Sequence, residues 1–275
     1  MAKGLEKEFK KIVAKEETKF KKIEKKAPNQ GTSKLDGLKQ TMEEKIPDKL
    51  IHTLDEGFNK AFHLIFSKGI GVIEKTFKED ELALEFSVND FRVEQRPNSK
   101  SLRKLDKGIK KGHLINTCTT VVEGIGLGAI GVGLPDIPLF LGMLLKGIYE
   151  TAIGYGYDYK EEKEQILILR MITAALSQDE NKREADERVE KWIGEINSKD
   201  DLANATTNLE DEIRLASKAL SSAMLLSKFL QGFLIVGMVG GIANPFIYQK
   251  VMKYVTVKYK KRYINEKRTS IKNER

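Results

Sequence analysis

The chain has 275 residues, of which 40% are hydrophobic and 32% are charged, and its mean hydropathy is -0.39. A polytopic membrane protein would have a mean hydropathy well above zero, so the composition excludes that class and is typical of a globular protein. The single cysteine, Cys118, excludes an intramolecular disulfide and fits a reducing compartment. The first eight residues lack the apolar run of a signal peptide. We therefore expect a cytoplasmic protein.

The positive charge is concentrated at the two ends of the chain. Residues 1–26 hold ten lysines and five glutamates, and residues 250–275 hold ten lysines or arginines and two glutamates, within a net charge of +8. The middle of the chain is therefore mildly acidic. Basic ends attract anionic membranes or nucleic acids. For the N-terminal end, a solubilising segment is the alternative that needs no partner.

Residues 1–26 have the period of a basic amphipathic helix. The apolar positions recur three or four residues apart, or at sums of these spacings, and the remaining positions are almost all lysine or glutamate. The apolar positions are Leu5, Phe9, Ile12, Val13, Phe20 and Ile23. Such a helix can lie on a membrane, pair with another helix or cover the core. Residues 28–33 then form a linker, and we place the end of this N-terminal unit at residue 30.

The middle of the chain predicts several further helices. Pro47 fits the first turn of one of them, and Asn208 is a suitable N-cap for the last long helix. The positions predicted to be buried are Ile51, Leu54, Phe58, Phe62 and Ile65, then Ile166, Leu169, Ile172 and Leu176, and finally Val189, Trp192 and Ile196. Almost no alternating strand pattern occurs, so the predicted fold class is all-α.

Two apolar, glycine-rich regions stand out, at residues 117–145 and 229–249. The second has no formal charge over 21 residues, about 31 Å of helix, which matches one hydrocarbon thickness. Asn244 and the proline after it break this run, and two prolines divide the first region. The uninterrupted lengths favour buried helices or shallow insertion over two transmembrane spans.

Glycines four residues apart in both regions predict close helix packing. The pairs are Gly124 with Gly128 and Gly237 with Gly241, and small residues at this spacing let two helix backbones approach each other. We expect a multi-helix domain built around this apolar helix pair, although the glycines also suit turns. The G-x-G-x-x-G pattern at residues 126–131 lacks the strand and long helix of a dinucleotide site. No cofactor is therefore expected.

Two carboxylates, Glu123 and Asp136, interrupt the first apolar region. An ionised group in apolar surroundings is costly unless it is paired. The two acids suit general acid/base work or a cation site. They also suit structural roles, because Asp136 can cap the helix that follows it and Glu123 can pair with Lys110 or Lys111. We favour the structural roles, and we expect neither catalytic residues nor a metal site.

The chain after residue 249 mixes basic and aromatic residues. The residues predicted to bind a membrane are Lys250, Lys253, Tyr254, Lys258, Tyr259, Lys260, Lys261 and Arg262. Aromatic residues among basic ones can stack on nucleic-acid bases or lie in the headgroup layer of a membrane. Because an apolar region directly precedes this tail, we interpret it as membrane-binding and expect no nucleic-acid partner.

Three stretches, in their order and spacing, resemble the bacterial EcsC protein family. They are the glycine-rich run that ends in Gly133-Leu134-Pro135-Asp136-Ile137-Pro138, the Tyr155-Gly156-Tyr157-Asp158 turn, and the run from Lys228 through Gly237 and Gly241 to Asn244. Phe233-Leu234-Ile235 stands where the family usually has an isoleucine-proline pair. The resemblance covers about residues 50–265. It implies a bacterial, membrane-associated protein from a family named after an operon that encodes an ABC transporter, with no established activity.

The predicted organisation is a basic helix and linker at residues 1–30, an EcsC-like helical domain at 31–265 and a basic tail at 266–275. The leading interpretation is a non-catalytic, peripheral membrane protein that binds either the anionic inner surface of the membrane or a membrane protein partner. Two alternatives are an integral hairpin or pore-like protein and a lipid-directed enzyme that uses Glu123 and Asp136. The candidate polar cluster, functional or structural, comprises Glu123, Asp136, Tyr155, Tyr157, Asp158 and Asn244.

Overall fold

The structure is a computed structural model, which describes residues 3–24, 46–115, 136–178, 181–198, 208–230 and 245–273. Within these ranges the chain forms helices and no β-strand, so the all-α prediction is confirmed. The helices are α1 (Lys3–Glu24), α2 (Asp48–Leu64), α3 (Ile70–Glu74), α4 (Glu79–Gln95), α5 (Ser99–Ile115), α6 (Asp136–Gly154), α7 (Glu162–Leu176), α8 (Asn181–Ser198), α9 (Leu209–Leu230) and α10 (Pro245–Asn273). A π-helical segment, Ile65–Gly69, connects α2 to α3.

Most of the apolar positions that recur at helical spacing in the sequence lie on buried helix faces. The predicted positions that are buried are Leu54, Phe58, Phe62 and Ile65, then Ile166, Leu169, Ile172 and Leu176, and also Val189, Trp192 and Ile196. Ile51 is half-buried. Asn208 caps α9 as predicted, because its side-chain oxygen accepts the backbone N–H of Glu210 at 3.0 Å. Helical spacing therefore places these helices correctly against the core.

The centre of the fold is formed by α6, α7 and α10. Helix α10 packs against both α6 and α7, while α2, α4 and α5 pack on α6, and α8 and α9 pack on α7. Helix α6 is the most enclosed of these, since 89% of its segment Ile137–Gly154 is buried, compared with 11 of the 15 residues of α7. One cluster of buried side chains runs through the helices from α1 to α10.

The two ends of the chain belong to this same core. Leu5 and Ile12 of α1 are buried in the core cluster, and α1 packs along α10. Helix α10 continues without a break through residue 265, where the sequence suggests the start of a separate tail. In the described parts of the chain, the three predicted segments therefore share one core.

The turn between α6 and α7 depends on a glycine. Gly156 has a φ of +85°, a conformation in which residues with a β-carbon are strained. A β-carbon at this position would also lie 2.3 Å from the Phe86 ring. The turn places Tyr155 and Tyr157 on either side of this glycine, so its conformation sets where both rings lie.

Alanine at this turn should destabilise the protein. Gly156→Ala should lower the free energy of unfolding by about 1–3 kcal/mol, because it adds backbone strain and displaces Phe86. Gly194→Ala is a matched control: Gly194 lies in α8, and apart from its chain neighbours and the adjacent backbone of the helix no atom lies within 4 Å of the added carbon. The control should raise stability by about 0.5–1 kcal/mol. Urea unfolding measures both variants, and effects of the same sign would contradict the role assigned to the turn.

Candidate functional site

The basic tail is a helix whose cations mostly point into the protein. Lys258 and Arg262 are only 1% and 6% exposed, and Tyr259 is buried beside them. Of the eight residues predicted to bind a membrane, Lys253 alone is classed as exposed. The prediction that this set faces a membrane is therefore corrected for its buried members. The physical reason is that these long side chains lie on the apolar stripe of α10, which packs in the core, and their charged groups pair there with carboxylates of other helices.

Lys258 lies at the centre of a buried cluster that joins α1, α8 and α10. Its ammonium nitrogen lies 2.8 Å from a carboxylate oxygen of Glu16, 2.8 Å from Asp186 and 2.5 Å from Glu190. Burial disfavours the charged amine, but the three carboxylates outweigh burial and raise the pKa of Lys258 above its usual value. The carboxylate oxygens lie within 4.8 Å of one another, close enough to hold a metal ion. In this arrangement the ammonium supplies the compensating charge.

Further ion pairs bind α1 to α10. The pairs are Glu6 with Arg268 at 3.0 Å, Glu8 with Lys260 at 3.2 Å, and Glu16 with Lys261 at 2.7 Å. Arg268 also stacks on the ring of Phe9, with 3.9 Å between the guanidinium carbon and the ring centroid. Three of the carboxylates of α1 are thus paired with cations of α10.

The lysines of α1 lie on the opposite, outer side of the helix. The exposed lysines are Lys3, Lys7, Lys10, Lys11, Lys15, Lys19, Lys21 and Lys22, and we call them the lysine face. Among the described side chains of α1, Glu17 is the one exposed carboxylate. Sequence analysis missed this separation of charge. The signal was present, because Glu8 and Glu16 continue the three- and four-residue spacing of the apolar stripe at Leu5 and Ile12.

Arg262 forms a second buried centre, with Glu164 of α7. The two charged groups are 2.8 Å apart, and their side chains are 6% and 3% exposed. The guanidinium stacks over the ring of Tyr157 at 3.9 Å from the centroid and donates to the side-chain oxygen of Asn197 at 3.3 Å. A buried charge is costly unless it is paired. This pairing therefore fixes α10 against α7 and against the turn that precedes α7.

The structure brings Tyr155 and Tyr157 together with the tail. The Tyr155 hydroxyl donates to Asp106 of α5 at 3.0 Å. The rings or cations of the tail that pack on these two tyrosines are Tyr259, Arg262 and Tyr263. Asp158 is different, because it is exposed and accepts the backbone N–H of Lys160 at 2.9 Å. The two tyrosines join helices, whereas Asp158 stabilises a turn at the surface.

The remaining predicted site residues fall outside the described ranges. They are Glu123, Gly124, Gly128, Gly237, Gly241 and Asn244. Asp136 is the first residue of α6, and its side chain is outside the described part as well. The glycine-faced helix pair and the two-carboxylate enzyme therefore stay predictions.

Helix α6 is apolar but carries a buried pair of charges. Its segment Ile137–Gly154 is long and apolar enough to cross a membrane, by length and composition, and 89% of it is buried inside the protein. Lys146 and Glu150 lie within this segment, with 3.9 Å between their charged groups. Burial lowers the pKa of Lys146 and raises that of Glu150 to about 7. The burial of this segment is that of a core helix.

Lys182 adds a titratable group next to the Lys258 cluster. Its side chain is buried, and its amine donates to the backbone oxygens of Ala174 at 2.5 Å and Ala175 at 3.1 Å, at the C-terminal end of α7. Burial, aided by the neighbouring charges of Lys19 and Lys250, lowers the pKa of Lys182 to about 7. Folding above neutral pH therefore releases a proton from this amine.

The Lys182 amine should make stability depend on pH. The unfolded chain keeps this proton up to its ordinary pKa of 10.5, so the free energy of unfolding should rise between about pH 7 and pH 10. The slope from this one group is at most about 1.4 kcal/mol per pH unit. Lys182→Met removes the titration and should flatten the rise. Urea unfolding across this range compares the two proteins, and parallel pH curves would contradict the lowered pKa.

Removing either partner of the Arg262–Glu164 pair should destabilise the fold strongly. Arg262→Met or Glu164→Leu leaves a buried charge unpaired, at a cost of about 3–5 kcal/mol each. The double variant should recover most of the loss, so a double-mutant cycle should show a large coupling energy. As a control, the exposed pair Lys191–Glu195, 3.7 Å apart, should contribute less than about 1 kcal/mol. Additive losses at Arg262 and Glu164 would show that the two charges are not coupled.

Comparison with known proteins places the chain in one family. The model of the EcsC protein family matches residues 7–264, which include most of α1 and end within α10. Protein EcsC of Bacillus subtilis (strain 168) is 27% identical over 159 residues, which cover 57% of this chain and 59% of that relative. The uncharacterized protein YdbA of the same strain is 37% identical over 57 residues, 21% of each chain. The chain thus aligns with about three fifths of the first relative's length, and no solved structure matches it. Because the family model spans most of the sequence, the chain belongs to the EcsC protein family.

Proposed function

We propose that this chain is a non-catalytic, peripheral membrane protein that binds the anionic cytoplasmic face of a membrane through the lysine face of α1. The observation that carries the proposal is the orientation of α1. Its eight exposed lysines point away from the core, while Glu6, Glu8 and Glu16 are paired with α10. In the folded chain these three carboxylates are therefore paired with cations of α10, and Glu6 also lies close to a lysine of this face, 3.6 Å from Lys10.

The shape and chemistry of this face favour lipid headgroups. A helix of 22 residues is about 33 Å long, so the lysines form an extended strip. All of the basic residues in it are lysine, a flexible point charge, and none is arginine, whose planar fork recognises bases and phosphates in fixed geometry. Phe20 is buried, and Phe9 is half-buried under Arg268, so these rings are poorly placed to stack on bases.

The expected affinity is enough for reversible attachment. Each lysine close to an anionic surface contributes on the order of 1 kcal/mol, and the attraction decays within a Debye length. If about five lysines of the strip engage together, binding gains about 5 kcal/mol. The membrane association implied by the family resemblance agrees with this role. The ion pairs and apolar contacts that hold α1 to α10 keep the strip at a fixed place on the protein.

Vesicle binding tests the proposal. The full chain should sediment with phosphatidylcholine vesicles that contain about one third phosphatidylserine, and it should stay in solution with pure phosphatidylcholine. Raising the salt from about 0.1 M to about 0.5 M should release it, because screening shortens the reach of the charges. The triple variant Lys7→Gln/Lys11→Gln/Lys15→Gln should bind about a hundredfold more weakly, at about 1 kcal/mol per lost charge.

A matched control has the same net charge as the triple variant. Lys49→Gln/Lys60→Gln/Lys218→Gln changes three exposed lysines on α2 and α9 and should keep the affinity of the unmodified protein. Equal losses in the two variants would reduce the effect to net charge and overturn the assignment to α1. Binding that resists high salt would favour insertion of an apolar hairpin instead. Equal binding to vesicles with and without phosphatidylserine would rule out electrostatic attachment.

A further inference from the structure

The outer face of α4 carries an exposed apolar stripe. Leu84, Val88 and Phe91 are 66%, 51% and 61% exposed, although they belong to a helix whose other side packs in the core. They follow one another at spacings of four and three residues, the spacing of a coiled-coil seam. On a helical wheel they lie opposite Phe86 and Val93, which pack in or against the core. The stripe is therefore an outward-facing seam on an otherwise anchored helix.

Carboxylates flank this stripe. With Leu84 and Phe91 at d positions and Val88 at an a position, the flanking e and g positions are Asp80, Glu85, Ser87, Arg92 and Glu94. The three carboxylates among them are exposed. Glu94 also pairs with Lys267 of α10 at 2.5 Å while its side chain keeps 51% exposure. The seam is thus apolar along its centre and mainly acidic along its edges.

The charge of the edges decides among the occupants that could cover the stripe. An anionic bilayer would be repelled by the exposed carboxylates. A second copy of α4 would place its own acidic edges against the acidic edges of the first copy, and like charges at e and g positions oppose pairing. A helix with apolar a and d positions and basic e and g positions complements both the stripe and its edges.

We propose that α4 is the docking site for a basic amphipathic helix of a partner protein, paired along Leu84, Val88 and Phe91. Segments rich in lysine and arginine flank the membrane spans of membrane proteins on the cytoplasmic side. A juxtamembrane helix of that kind has the required chemistry. This surface is separate from the lysine face of α1, and the proposal stands whether or not α1 binds lipid.

A pair of designed peptides tests the surface without a known partner. Each peptide has three heptads with leucine at a and d positions, and the two differ only in carrying lysine or glutamate at e and g. Fluorescence anisotropy with the full chain should show that the lysine peptide binds at least about tenfold tighter than the glutamate peptide. The variant Leu84→Gln/Val88→Gln/Phe91→Gln should lose about tenfold or more in affinity for the lysine peptide. Because the three side chains are exposed, its thermal stability should stay close to that of the unmodified protein.

Two further variants separate this interface from general stickiness. Phe246→Gln removes another large exposed apolar side chain, 67% exposed on α10, and should leave peptide binding unchanged. Asp80→Lys/Glu85→Lys should shift the preference toward the glutamate peptide. Equal binding of both peptides, or full binding by the triple glutamine variant, would overturn the proposal. A dimer that dissociates in the triple variant, measured by light scattering, would assign the stripe to a second copy. Loss of vesicle binding in that variant would assign it to lipid.

Discussion

The fold depends on neutralising the cations that α10 carries into the core. An ionised group in the protein interior costs several kcal/mol unless an opposite charge meets it at close range. Lys258 meets three carboxylates from α1 and α8, and Arg262 meets Glu164 from α7. Helix α10 can occupy its central position only when these helices are in place around it. Charge pairing therefore specifies which helices surround α10, while apolar burial supplies most of the stability.

This internal demand for carboxylates shapes the outer surface. Helix α1 carries both signs of charge, and its acids at Glu6, Glu8 and Glu16 are drawn inward by α10. Of the lysines that remain outside, Lys10 lies 3.6 Å from Glu6, and Glu17 is the one exposed carboxylate among the described side chains of the helix. A sequence of moderate net charge thus becomes a folded protein with one strongly basic strip. The same pairing that stabilises the interior creates the electrostatic feature that a membrane would attract.

Helical spacing predicted the fold class and the buried faces of α7 and α8, because the burial of an apolar side chain that recurs at this spacing can be predicted without knowing its partners. It failed for α10, where Lys258 and Arg262 continue the stripe of Val251 and Val255 at spacings of three and four residues. When the partner of a charged residue in such a stripe is unknown, its charge predicts a position at the surface. The partners lie far away in sequence, 72 residues for Asp186 and 98 for Glu164. Only the tertiary arrangement brings them together.

The two outward surfaces are tied to neighbouring residues of one helix. Lys267 of α10 pairs with Asp90 and Glu94 of α4, and the next residue, Arg268, pairs with Glu6 of α1. The basic strip and the acid-edged seam are therefore held to the same turn of α10 by ion pairs, and of the residues in these pairs Glu94 alone is exposed while the others are partly buried. A rearrangement of this turn would alter both surfaces together, because each pair limits how far its helix can move independently. The C-terminal half of α10 is thus the part of the fold that contacts the helices of both proposed surfaces.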